Sequence, residues 1–146
     1  MRFMMLMIPA VYQGAQGKKA GADFTPSAEA VEKMMKYNEE LAKAGALISL
    51  DGLHPPTSGA RVSFTGGKVR IAEGASVETK NVLGGYWMIN VKSREEALQW
   101  AKRVPAEEGD VIEIRQVFEM EEFPPDVQKA AESPTVRAQV EKQKKS

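Results

Sequence analysis

The chain contains no cysteine and a single histidine among its 146 residues. Without thiols it has no disulfide framework, no thiolate metal site, no iron–sulfur cluster and no cysteine nucleophile. An excess of charge of either sign is missing too. Twenty basic residues face twenty acidic ones, so no net field draws the chain toward nucleic acid or an anionic membrane. The apolar run Phe3 to Ile8 follows Arg2 like the start of a signal peptide, but it is too short for a signal core or a membrane span, and Pro9 closes it. It reads as a buried strand. With no other long apolar stretch and no cysteine, the expected compartment is the cytoplasm. The sequence also lacks a phosphate-cradling glycine loop, a serine elbow and a carboxylate cluster with metal spacing, so neither a cofactor nor a metal is expected. What is present is a hydrophobic share of 42% and a charged share of 27%, the composition of one ordinary globular domain.

Along the chain, Ala10 to Phe24 shows no periodicity and is expected to be a long exposed loop. Thr25-Pro26 supplies an N-cap and a first-turn proline for a helix whose apolar residues Val31, Met34, Met35 and Leu41 recur at helical spacing up to Gly45. Ala46 to Leu50 is a short strand. Leu53-His54-Pro55-Pro56 follows as rigid extended backbone, because each proline excludes helical geometry at the residue before it. Ala60–Phe64 and Lys68–Ala72 alternate on either side of Gly66-Gly67, the pattern of a hairpin. Val82 to Val91 is a central strand. Ser93-Arg94-Glu95-Glu96 is a capping box that opens a second helix, which Pro105 ends. Val111 to Met120 alternates, with Ile112, Ile114 and Phe118 on the expected core side. Residues 1–123 form the domain, and 124–146 are a polar, basic tail, helical near 126–131 and otherwise frayed. The five methionines Met4, Met5, Met7, Met34 and Met35 are expected to fill the core.

The order strand, helix, strand, hairpin, strand, helix, strand is a split β-α-β pattern. It predicts an α+β, ferredoxin-like sandwich with an inserted β-hairpin. Both helices lie on one face of such a sheet, and the chain has no third layer for the other face, so a homodimer is expected. The tail has no aromatics interleaved with its cations, which argues against nucleic-acid recognition.

Several separated motifs resemble one family. Glu78-Thr79-Lys80, Leu83-Gly84-Gly85-Tyr86-Trp87, the helix start at Ser93, Glu113-Ile114-Arg115, Lys36-Tyr37-Asn38-Glu39-Glu40-Leu41 and Gly52-Leu53-His54-Pro55 together look like the DGPF-domain branch of the YCII-related proteins. The resemblance covers roughly residues 1–123. It implies a dimeric α+β barrel of bacterial origin, in a superfamily that includes small enzymes, without implying a reaction for this branch. Two departures stand out. The name-giving Asp-Gly-Pro-Phe is here Glu73-Gly74-Ala75-Ser76. The His and Asp pair credited to YCII proteins is not carried over, because the one histidine, His54, sits in the Leu-His-Pro setting of the DGPF-like pattern.

The chemistry-bearing candidates are few. His54 is the one side chain whose ordinary titration falls near neutrality, and it is the candidate general base or acid, with Asp51 three residues earlier as the group that orients it. The plainer alternative makes His54 a cap on a rigid Pro-Pro turn. Glu78 and Lys80, two apart, present an acid and a cation on the same face of an extended segment, either to a ligand or as a structural ion pair. Tyr86 and Trp87 point to opposite faces, so one joins the helix-side core and the other walls a pocket between the sheets of the dimer. Arg115 is placed to bind an anionic group or, alternatively, to pair with Glu113. The leading expectation is a protein that binds a small molecule between the sheets of the dimer, in a pocket lined by His54, Tyr86 or Trp87 and Arg115, and that, as an enzyme, performs cofactor-independent isomerisation or elimination. The competing one is a non-catalytic regulatory or protein-interaction module.

Overall fold

The computed structural model describes residues 1–21, 23–74 and 80–146. Strand β1 (Arg2–Ile8) is followed by a 3-10 turn and a short helix α1 (Gly14–Lys19), then helix α2 (Ala28–Lys43), β2 (Leu47–Gly52), the hairpin β3 (Ala60–Thr65) and β4 (Lys68–Glu73), β5 (Gly85–Asn90), α3 (Arg94–Lys102) and β6 (Val111–Gln116). Two helices, α4 (Pro125–Ala130) and α5 (Pro134–Lys145), close the chain. Strands β2, β5, β1 and β6 form one antiparallel sheet in that order, while β3 and β4 form a separate two-stranded ribbon. Because β5 lies between β1 and β2, and β1 lies between β5 and β6, the two β-α-β units interleave as the element order requires.

Strand alternation decides what each face carries. Phe3, Met5, Trp87 and Ile89 point to the helix layer and pack with Tyr37 and Leu41 of α2 and with Ala97 and Trp100 of α3. Ile112 and Ile114 of β6 join them. Tyr37 sits at the centre: its ring meets Trp87 and Trp100 edge-on, and its hydroxyl donates to the Trp100 carbonyl at 2.8 Å. Burial pushes that phenol well above the usual tyrosine range. The opposite face carries Met4, Leu6, Tyr86, Met88, Glu113 and Arg115, and the cross-strand register sets Met4 beside Met88 and Arg115, and Leu6 beside Tyr86 and Glu113. Among the described residues, none of the helix core packs there.

Several expectations are corrected. The segment expected as an exposed loop is not one over its described residues 10–21: Tyr12, Gly17 and Ala20 are buried, and Tyr12 and Ala20 form a second small core with Val82. The segment is held by side-chain hydrogen bonds instead of an apolar stripe. Gln13 donates to the Pro9 and Val82 carbonyls and accepts from the Val82 amide, all at 2.8–2.9 Å. Helix α2 begins at the N-cap Ser27, not Thr25, because Ser27 Oγ is the group that accepts the Ala30 amide. In α3, Ser93 Oγ accepts from Glu96 N as a capping box requires, but Glu96 reaches back one residue further, to the Lys92 amide at 2.8 Å.

Phe118 is not in the core. β6 ends at Gln116, so its alternation no longer governs Phe118, which is 72% exposed and rests on Phe123. Met35 is likewise exposed and Met4 faces away from the helices, whereas Met5, Met7 and Met34 do pack with the core. The tail carries a second helix, α5, started by the N-cap Ser133 and by Pro134 in the first turn, and exposed along its whole length. Among the described residues no helix is long and apolar enough to cross a membrane.

Candidate functional site

The two adjacent glycines of the Gly84-Gly85-Tyr86-Trp87 motif are where backbones come together. A Cβ on Gly85 would lie 2.8 Å from the Asp51 carbonyl oxygen of β2, and one on Gly84 would lie 2.6 Å from the Pro9 ring. Gly84 also pairs on both sides, donating to Met7 and accepting from the Leu53 amide at 2.8 and 3.0 Å. Small residues here let the ends of β1, β2 and β5 close up.

Against this corner lies a cleft of about 450 Å³ on the helix side of the sheet, walled by Met7, Pro9, Tyr12, Phe24, Met34 and Leu53, with His54 among its lining. It adjoins a smaller hollow of about 180 Å³, with which it shares Met7, Met34, Gly52 and Gly84, and which extends to Asn38, Leu50 and Trp87. An apolar concavity with a few convergent polar groups, in this size range, is the usual form of a small-molecule site. Sequence reasoning missed most of its walls. Tyr12, Phe24 and Met34 belong to a segment read as loop and to a helix face read as core, and no local pattern signals that they meet.

The polar groups divide in an informative way. Tyr12 donates to the Leu53 carbonyl at 3.1 Å, and burial raises its pKa above the ordinary phenol value, so it stays neutral. Asn38, buried on α2, accepts from the Trp87 indole at 2.8 Å. His54 is exposed at the cleft and follows the strand β2, which ends at Gly52. An imidazole there can donate at one nitrogen and accept at the other.

The expected site residues do not all converge. Asp51 and His54 share no hydrogen bond: the Asp51 carboxylate instead accepts from the Tyr86 hydroxyl at 2.6 Å, directly across the β2–β5 register. That bond to Asp51 raises the Tyr86 pKa. Trp87 is the core member of the Tyr86–Trp87 pair, and it also forms the floor of the smaller hollow. The Tyr86 side chain takes the other face by strand alternation, and Tyr86 and Asp51 both border the smaller hollow beside Trp87. Arg115 lies on the far edge strand, largely exposed, within 3.7 Å of the Glu113 carboxylate. Lys80 lines a separate groove of about 570 Å³ with Lys18, Gln13 and Asn81, at the end of the sheet near Ile8 and Val111. Glu78 and Thr79 lie outside the described residues, as do Ala75 and Ser76 of the altered turn. Among the described residues no group of three or more acidic, histidine or cysteine side chains is arranged to hold a metal ion.

The family model of the YCII-related domain matches residues 1–121. No curated protein matches the chain.

Proposed function

The chain belongs to the YCII-related domain family, and from that premise we propose that it binds a small molecule with an apolar body in the His54 cleft, and that His54 exchanges a proton or hydrogen bond with the molecule's polar end. The observation that carries this reading is the lining itself: apolar and aromatic walls, a neutral Tyr12, and one imidazole. Such a site desolvates an apolar body and leaves a single group able to both give and take a proton, which suits cofactor-independent isomerisation or elimination. Asp51 has no part in orienting His54 in this scheme, since its carboxylate is engaged by Tyr86. The DGPF-like motifs around Gly84 and His54 support placement in that branch.

The same reading includes a homodimer. Met4, Leu6 and Met88 lie on the sheet face that the helix layer does not use, and a second copy of the chain is the simplest cover for that face. The family resemblance supports a barrel built from two such sheets.

A thermal-shift screen of small metabolites tests the cleft. A ligand at about 100 times its Kd stabilises the native state by roughly 2.7 kcal/mol, which at about 2–4 °C per kcal/mol for a chain of this size is a readily measured rise in Tm. A Cβ on Gly52 meets open space and Gly52 lines both hollows, so Gly52→Leu fills the cleft without backbone strain. The expected result is that hits stabilise the native chain, lose their effect in Gly52→Leu and weaken in His54→Ala. Ligands that stabilise Gly52→Leu as well as the native chain refute the site.

A further inference from the structure

The groove of about 570 Å³ between Lys18 and Lys80 has no part in the His54 cleft, with which it shares no lining residue. One side of it is apolar, formed where Ile8 at the end of β1 meets Val111 at the start of β6. Two cations line it, Lys18 of α1 and Lys80 ahead of β5, and no acidic side chain is among its described lining residues. Among the described residues neither lysine has a carboxylate within ion-pair distance. Asp110, next to Val111, is turned to the backbone instead: its two oxygens accept from the Ala10 and Glu107 amides, each at 2.8 Å.

The two lysines stand on segments far apart in the chain, and one side chain joins those segments. Gln13 spends its whole carboxamide as a brace, with Nε2 donating to the Pro9 and Val82 carbonyls at 2.8 Å and Oε1 accepting from the Val82 amide at 2.9 Å. This pins the stretch carrying Lys80 and Asn81 against the start of α1. Helix α1 in turn lies flat on the turn before it, because a Cβ on Gly17 would lie 2.0 Å from the Tyr12 carbonyl oxygen. Lys18 follows Gly17, so that contact sets where it stands. Asn81 has a φ of 55°, the one positive value on a non-glycine among the described residues. Asparagine is one of the few residues that visit this conformation, and residues so held cluster where ligands are clamped. The backbone that carries the charges is therefore fixed before a ligand arrives, which lowers the cost of binding.

We propose that this groove is a second binding site, for a small phosphate monoester, with the phosphate between Lys18 and Lys80, the Asn81 side-chain amide donating to it, and the organic group on Ile8 and Val111. Two cations without a neighbouring acid favour an anion of more than one charge. A phosphate monoester carries about −1.5 to −2 at neutral pH, against −1 for a carboxylate. Lysine holds phosphate as a point charge and needs no bidentate geometry to do so. A nucleic-acid strand fits less well, because the lining offers no aromatic ring for a base to stack on.

Phenyl phosphate is the probe, titrated calorimetrically into the full-length chain at low salt. The expected result is one molecule bound per chain, with a Kd that rises with salt and that rises about tenfold or more in each of Lys18→Gln and Lys80→Gln, the loss of a charge-assisted contact. Both lysines are exposed, so folding is not at stake. Lys129→Gln removes the same charge from α4, and Gly52→Leu fills the His54 cleft; both are expected to leave the Kd unchanged. An equal loss in Lys129→Gln overturns the site, because overall charge then accounts for the binding. A loss confined to Gly52→Leu places the probe in the His54 cleft and overturns the groove while leaving that cleft standing. Benzoate binding as tightly as phenyl phosphate overturns the choice of phosphate, and inorganic phosphate doing so overturns the ester. The absence of saturable binding at millimolar phenyl phosphate overturns the whole assignment and leaves the His54 cleft untouched.

Discussion

The buried hydrogen bond between Asn38 and Trp87 gives a quantitative test of how the core and the cleft are joined. Asn38 is 7% exposed and Trp87 5%, and the indole N–H to Oδ1 distance is 2.8 Å. Asn38→Leu keeps nearly the same volume but removes the acceptor, so the dominant cost is an indole N–H left unpaired, about 1–3 kcal/mol. Trp87→Phe removes the donor and also shrinks a core side chain, which adds a cavity cost of similar size. When both partners are replaced no polar group is left stranded, so the double variant is expected to be less destabilised than the two singles together by about 1–2 kcal/mol. Urea unfolding followed by far-UV circular dichroism measures all four chains, with an unchanged dependence on urea concentration showing that the native surface is otherwise intact. A coupling below about 0.5 kcal/mol, the scatter of independent sites, refutes the reasoning. It would mean that Asn38 is exchangeable with water from the adjoining hollow and does not hold Trp87 in place.

Two further outcomes are expected. The Arg2 guanidinium donates twice to Glu119, at 2.7 and 3.1 Å, and this pairing holds the Glu119 carboxyl below its ordinary range. A lowered folded-state pKa means stability that is present above the unfolded value, about 4.3, and is lost as the pH falls through the folded one. The stability gap between the native chain and Glu119→Gln is therefore expected at neutral pH and closes in acid, as denaturation at a series of pH values will show; a constant gap contradicts it. Gly85→Ala forces a Cβ to 2.8 Å from the Asp51 carbonyl oxygen, a backbone atom that cannot turn aside. It is expected to cost about 1–3 kcal/mol by overpacking and to disturb the neighbouring Asp51–Tyr86 bond; an unfolding midpoint equal to that of the native chain would show that the strands separate at no cost.

Fold and site were legible to different depths. The elements with a strong local signature could be read directly: the helical spacing through Leu41, the Gly66-Gly67 turn, the Ser93 cap and the alternation of Ile112 and Ile114. The segment at residues 10–20 could not, because the Gln13 side chain and Tyr12 hold it through partners about 40 to 70 residues away, and such bonds leave no periodic trace. Phe118 was misplaced for a related reason. Alternation carries information only while a strand lasts, and the end of pairing at Gln116 depends on β1 and not on the sequence of β6.

The candidate site followed the same division. That the one imidazole would stand on rigid backbone, and that Tyr86 and Trp87 would part to opposite faces, came from proline chemistry and strand geometry alone. Which face Trp87 takes, and that Asp51 meets Tyr86 and not His54, came from register, a property of two strands together. The cleft draws on β1, α2, the end of β2 and the approach to β5, so its walls come together only on folding. By itself the sequence determined the strands and the two helices of the core layer, their order and the short list of groups able to do chemistry, because propensity, capping and alternation act over a few residues. Only the tertiary structure decided which of those groups share a space, because that follows from strand pairing and helix packing between residues far apart in the chain.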